Sequence, residues 1–225
     1  MGYFDDVITK ETQEERDTNR RQIQSACADI YSLLIPQLII SIASRLLNNV
    51  PVVGLLLDIA TIVISIIYAA KLLKAGNKLS SDLKVAAYIT FVAMGLPFVS
   101  SMISIVVLSI NPYGPNDMYV LIAILEIVVL VIAYILEIIA LRKETDGFYF
   151  LIRKYNPSVA EYFNKVFTNY LIAMIILIIG TFITIVIPLL GLVIMVVALV
   201  FAIIAYVNKF KAYSYGSYFS DVMGE

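Results

Sequence analysis

Histidine and tryptophan are missing altogether from these 225 residues, and cysteine occurs once. The lack of histidine removes the usual general base, the usual zinc and haem ligand and the usual charge switch near neutral pH. A lone Cys27 cannot close an intrachain disulfide or build a thiolate metal cluster, so it reads as a small buried or interfacial residue. Charge is scarce too. Only 15% of residues are charged and the net charge is -1, which leaves no basic stripe able to neutralise a run of phosphates and argues against a nucleic-acid partner. No Gly-rich phosphate loop, no nucleophile beside a base and no zinc-ligand spacing occurs. These absences predict a protein that is not an enzyme, with no catalytic residue, no cofactor and no metal. The opening MGYFDDVITKETQEERDTNRR is polar and acidic, unlike a secretory signal, and Asp6 stands where a myristoylation pattern wants Ser or Thr.

What the chain has in excess is apolar surface. Apolar residues make up 61% and mean hydropathy is +0.92, whereas a soluble domain is about half apolar and about a quarter charged. Backbone groups in lipid must be satisfied within the segment, so apolar runs of about 20 residues predict helices that cross a bilayer. Six such runs fall near 29–48, 50–72, 84–110, 118–141, 169–188 and 190–208. The last two form one stretch too long for a single crossing, and IPLLG from Ile187 supplies the Pro and Gly of a tight turn. The prediction is an all-α polytopic integral membrane protein, six transmembrane helices arranged as three hairpins. Its parts are a polar cytoplasmic N-terminal segment (1–28), a membrane domain (29–208) and a cytoplasmic tail (209–225), and the lipid bilayer is its first partner.

Short loops rich in Lys and Arg stay cytoplasmic. Of the sixteen basic residues, only Arg45 falls on the outer side of a six-span arrangement; the N-terminal segment, the second and fourth loops and the tail hold the rest. Both termini are therefore expected in the cytoplasm and the protein in the cell membrane. Within the fourth loop, Phe148 to Ile152 beside Arg153 and Lys154 suggests a short helix lying among the headgroups. Asn156 and Pro157 then read as the N-cap and first residue of the helix that becomes the fifth span. Tyr155, Tyr162, Tyr170, Tyr206, Tyr213, Tyr215 and Tyr218 read as an aromatic belt.

Shifting the chain on itself by 137 residues brings VPVVGLLLDIATIVISIIYAAKLLKA, from Val50, onto IPLLGLVIMVVALVFAIIAYVNKFKA, from Ile187, with eight identities in 26 positions. Pro51 meets Pro188, Gly54 meets Gly191, and Lys74-Ala75 meets Lys211-Ala212. The reading is a parallel internal repeat of the first and last hairpins, related about the membrane normal. In each copy Pro opens the helix where its missing N–H costs nothing, and Gly allows close approach at the turn. Thr61, Ser65 and Ala69 in one copy, and Ala198 and Ala202 in the other, provide small faces for packing in lipid. These PxxG hairpins ending in a Lys-rich step, with Ser80-Ser81-Asp82 after the first, resemble an uncharacterised archaeal family of multi-span membrane proteins over residues 28–83 and 157–212. The resemblance implies a repeat-built helical membrane fold and lends no activity and no functional residues.

A charge inside a span costs about 2.5–3.5 kcal/mol at the centre and needs a partner or a cavity. Arg45, Asp58, Glu126 and Glu137 qualify as an intramembrane charge cluster. An antiparallel hairpin turning near Val50 brings Arg45 towards Asp58, and a salt bridge is the simplest use of both. Glu126 and Glu137 are eleven residues apart, a rotation of about 20° on a helix, and share a face with Ala133 between them. Glu137 is close enough to the polar edge to snorkel or pair with Arg142. The third span has Gly95, Pro97, Ser100, Ser101 and Ser104 at its middle, which predicts a kink lined by hydroxyls; Glu126 facing them would complete a polar pocket. The outer loops are too short to bind anything large. The leading functional reading is a structural or accessory membrane protein, a scaffold or small subunit of an assembly, forming homo-oligomers or joining other membrane-protein subunits. The alternative is a small ion or solute channel or transporter using Asp58 and Glu126.

Overall fold

The computed structural model describes residues 12–47, 51–110 and 116–222; some side chains within these ranges, Arg45 and Asp58 among them, lie outside the description. The described chain is all-α, with no strand among the described residues. Its helices are α1 (Gln13–Leu47), α2 (Pro51–Leu79), α3 (Ser81–Ile110), α4 (Asn116–Arg153), α5 (Pro157–Val186) and α6 (Pro188–Gly216). All six are long and apolar enough to cross a membrane. This is the architecture of a multi-pass membrane protein. Each helix packs on its neighbours in chain order, and α1 also meets α6, which closes the set into a ring. Arg16 and Asp221 meet at one end of that ring, hereafter the terminal end, which also carries the α2–α3 and α4–α5 corners.

Local chemistry sets where the helices begin and end. α1 starts well before the apolar run, because Thr12 and Glu15 form a reciprocal capping box: the Glu15 N–H donates to Thr12 Oγ1 at 3.2 Å, and the Thr12 N–H to Glu15 Oε2 at 2.9 Å. With no Pro or Gly between it and Pro36, residues 13–28 of the polar segment are one helix with the first span. Ser80 alone separates α2 from α3, its hydroxyl accepting the Asp82 N–H at 3.2 Å. Gly76 lies directly under this step: a Cβ there would press on the Lys84 backbone nitrogen and come within 2.9 Å of the Leu83 carbonyl carbon. At the α4–α5 corner, Asn156 Oδ1 accepts the Val159 N–H at 3.1 Å with Pro157 at the helix start, as the sequence predicts. Ile187 is the one residue between α5 and α6.

The short headgroup helix expected at Phe148–Ile152 does not exist as a separate element. α4 runs unbroken for 38 residues to Arg153, roughly 57 Å at 1.5 Å per residue, against a hydrocarbon layer of about 30 Å. The physical reason is a single row at four-residue spacing, Ala140, Glu144, Phe148 and Ile152, all buried. That row faces the bundle rather than the headgroups.

Two packing regimes follow. At the terminal end the ring has a dense interior of the kind found in soluble proteins: Ile23, Cys27, Ile30, Leu34, Leu72, Leu83, Phe148, Ile152, Phe163 and Tyr213 are almost wholly buried. Phe148, Phe163 and Tyr213 form a mutual aromatic triad with centroids 5.2–5.4 Å apart. Further along, helices meet through small residues. On α6, Gly191, Ala198, Ala205 and Ala212 are buried at seven-residue intervals, a seam that lets α5 approach closely, and a Cβ on Gly180 would lie 3.0 Å from Met195. The α3/α4 hairpin is thinly covered: only 6% of the most apolar window of α4 is buried. The two helices of the sequence match, α2 and α6, are each 29 residues long and begin and end 137 positions apart. Their shared face includes the buried pairs Ala75/Ala212 and Tyr68/Ala205.

Candidate functional site

Of the four intramembrane charges singled out by sequence, Glu126 and Glu137 have described side chains. The side chains of Arg45 and Asp58 lie outside the described residues. Glu126 and Glu137 are both exposed on the outer surface of α4, while Ala133 between them is 3% exposed. The face they share is therefore split: alanine packs inward and the acids flank it. Glu126 makes no hydrogen bond or ion pair among the described residues. Arg142 does not reach Glu137 either. Its guanidinium bonds Asp146 at 2.7 Å, one turn further along α4, and lies over the Phe167 ring at 4.7 Å.

In α3, Pro97 sits inside the helix without ending it. Ser100 and Ser104 are buried, Ser101 is exposed, and Gly95 has open space where a Cβ would stand. The Ser104 hydroxyl donates to the Ser100 carbonyl at 3.1 Å, so the back-bonding occurs about two turns beyond the Ala93 carbonyl that Pro97 leaves without its N–H partner. Ser100 Oγ is buried with no hydrogen-bond partner among the described residues. Glu126 is exposed and makes no hydrogen bond to these serines among the described residues, and the concavity on this part of α3 is apolar, about 340 Å³, lined by Phe98, Val99, Met102, Ile103, Val106 and Val107.

The strongest polar centre is one that sequence reasoning passed over. Glu144, 4% exposed, projects from the inward row of α4. Tyr68 of α2 and Tyr213 of α6 each donate a hydroxyl to its Oε1 at 2.5 Å, and Lys209 Nζ of α6 lies 3.3 Å from the same oxygen. Lys209 also stands 4.8 Å above the Tyr68 ring. One carboxylate thus ties three helices that are far apart in sequence. The convergence explains how a buried acid is tolerated: its charge is balanced by an ammonium and its oxygen is saturated by donors. With every donor turned onto the carboxylate, the centre is a clasp rather than an open reaction site. Glu144 stands in RKETD, which reads as a solvated charge run; the signal that would have found it is the four-residue row it shares with Ala140, Phe148 and Ile152. Tyr213 and Tyr155, assigned by sequence to an aromatic belt, are instead 1% and 3% exposed.

A second clasp joins the chain ends. Arg16 binds Asp221 through two parallel contacts, Nε–Oδ2 at 2.5 Å and Nη2–Oδ1 at 3.0 Å, and reaches the Lys154 carbonyl at 3.3 Å. Gln24 donates to the Phe219 carbonyl at 2.8 Å, and the Val222 N–H donates to the Tyr155 carbonyl at 3.0 Å. Residues 217–222 are accordingly part of the folded bundle. On the α1/α2 side, Lys71 donates to the Asp29 carbonyl at 2.8 Å and to Ser32 Oγ at 3.1 Å. Lys143 of α4 bonds Asp82 of α3 at 2.9 Å. Among the described residues no group of three His, Cys, Asp or Glu stands close enough to hold a metal ion. Comparison with protein-family models, with curated proteins and with solved structures found no match.

Proposed function

We propose that this chain is a structural or accessory subunit of a membrane assembly, non-catalytic, held in the cell membrane with its terminal end in the cytoplasm. On this reading the α3/α4 hairpin is the face on which a second copy or another membrane-protein subunit packs. The observation that carries it is Glu126. Ten residues into α4, about 15 Å along the helix, it is exposed on an apolar surface without a partner among the described residues. A carboxyl left there against lipid costs about 2.5–3.5 kcal/mol, a cost that a polar contact from a neighbouring subunit offsets. The apolar concavity on α3 lies on the same hairpin and supplies a surface for that neighbour. The basic residues concentrated at the terminal end support the orientation.

The test is purification from native membranes in a mild detergent, with and without Glu126→Leu. The expected result is a complex larger than one chain that Glu126→Leu dissociates while the melting of the single chain is unchanged. A monomer whose behaviour is indifferent to Glu126→Leu would sink the assembly reading. Ion flux in proteoliposomes abolished by Glu126→Gln would favour the channel or transporter.

A further inference from the structure

A groove of about 310 Å³ runs between α1 and α2 at the terminal end. Four of its lining residues are cations, Arg21, Lys71, Lys74 and Lys78, against a single carboxylate, Asp29. Asp29 offsets one of these four charges, its oxygens standing 3.5 Å from Lys71 and 3.6 Å from Lys74, and leaves the groove positive. Arg21 and Lys78 make no ion pair among the described residues, and Lys74 is 67% exposed. The floor is formed by the small side chains of Ala26 and Ala75, which leave room between the helices. An unbalanced cationic groove of this size attracts an anion.

Register along α2 identifies the class of anion. Lys71, Lys74 and Lys78 continue, at helical spacing, the row that contains Val63 and Ile67, which are exposed apolar residues. Lys71 is twenty residues beyond Pro51, about 30 Å along the helix, the thickness of a hydrocarbon layer. One continuous helix face therefore changes from exposed apolar to exposed cationic at the depth where a bilayer changes from acyl chain to headgroup. A soluble anion would use only the upper half of this face. An anionic lipid uses both.

We infer that the α1/α2 groove is a binding site for a phosphate-bearing anionic lipid, its headgroup held by Arg21, Lys74 and Lys78 and its acyl chain lying along Val63 and Ile67. Lys71, already bonded to Asp29 and Ser32, lines the headgroup pocket beside them. The inference rests on the membrane-spanning architecture and not on the subunit role proposed above.

Native mass spectrometry of the detergent-purified protein, titrated with phosphatidylglycerol, phosphatidylcholine or inorganic phosphate, tests it. Phosphatidylglycerol should be retained as a discrete adduct, with phosphatidylcholine much weaker and inorganic phosphate not retained. Each headgroup cation near a surface is worth roughly fivefold in affinity, so Arg21→Gln/Lys74→Gln/Lys78→Gln should weaken retention about a hundredfold. The control Lys84→Gln/Lys154→Gln/Lys211→Gln removes the same charge outside the groove and should retain the adduct. Equal loss in both triple variants would mean non-specific attraction and overturn the site. Retention of inorganic phosphate in place of the lipid, or equal retention of phosphatidylcholine, would overturn the lipid assignment. A circular-dichroism melt in lipid-free detergent, expected to match the parent for both variants, separates lost binding from lost folding.

Discussion

Replacing Glu144 with leucine strands three donors at once, and its cost can be worked from the contacts. The Tyr68 and Tyr213 hydroxyls are buried, at 5% and 1% residue exposure, and each would lose a charge-assisted hydrogen bond. Such a bond contributes roughly 1.5–3 kcal/mol. Lys209, with a side chain 19% exposed, can turn towards water and loses less. Leucine returns some apolar burial, so the net loss is about 3–5 kcal/mol, the range for removing one member of a buried pair. For a chain of this size that is a fall in Tm of roughly 10 °C, measurable by circular dichroism in one detergent. The signature lies in the sign of a second change. Tyr68→Phe and Tyr213→Phe should each destabilise the parent, yet together stabilise the Glu144→Leu background, because they remove hydroxyls that no longer have an acceptor. If the phenylalanines cost the same in both backgrounds, or Glu144→Leu melts within about 2 °C of the parent, the clasp contributes nothing.

Gly76→Ala should destabilise by roughly 1–3 kcal/mol, since the new methyl meets backbone at the α2–α3 step that cannot move aside; Gly95→Ala, into open space, should be neutral or slightly stabilising by the same melt. Cys27, at 0% exposure, should react with a maleimide only after denaturation, and labelling of the folded protein as fast as a Ser25→Cys control would contradict its burial. In a Cys27→Ala background, Lys78→Cys should be labelled in cells only after permeabilisation and Asn116→Cys without it; labelling of Lys78→Cys in intact cells would reverse the orientation.

Helix number and class were legible because lipid leaves a chain few options: apolar runs of sufficient length must satisfy their own backbone. Corner chemistry was legible where it depends on neighbouring residues, as at Asn156-Pro157. The extent of α1 and α4 was not, because a hydropathy window ends where charge begins, whereas a helix ends only where a cap or breaker occurs. Thr12 to Glu15 and Arg153 to Pro157 set those limits. The Glu144 centre was hidden for a related reason. Its donors are 76 and 69 residues away in sequence, and no local pattern reports which tyrosine of a membrane protein turns inward. Intramembrane acids are conspicuous to the eye because they are rare, yet Glu126 and Glu137 face outward while an acid in an ordinary charge run lies at the centre.

The clasp around Glu144 also orders the birth of the molecule. Tyr68 is made before Glu144, but Tyr213 and Lys209 follow it and arrive only with α6. Synthesis at roughly 5–20 residues per second leaves the carboxylate with one of its three donors for several seconds. During that interval four helices can already be in the bilayer with an acid at the mouth of an unfinished ring. The last helix therefore acts as a keystone: without α6, Glu144 lacks two of its three donors, Tyr213 and Lys209.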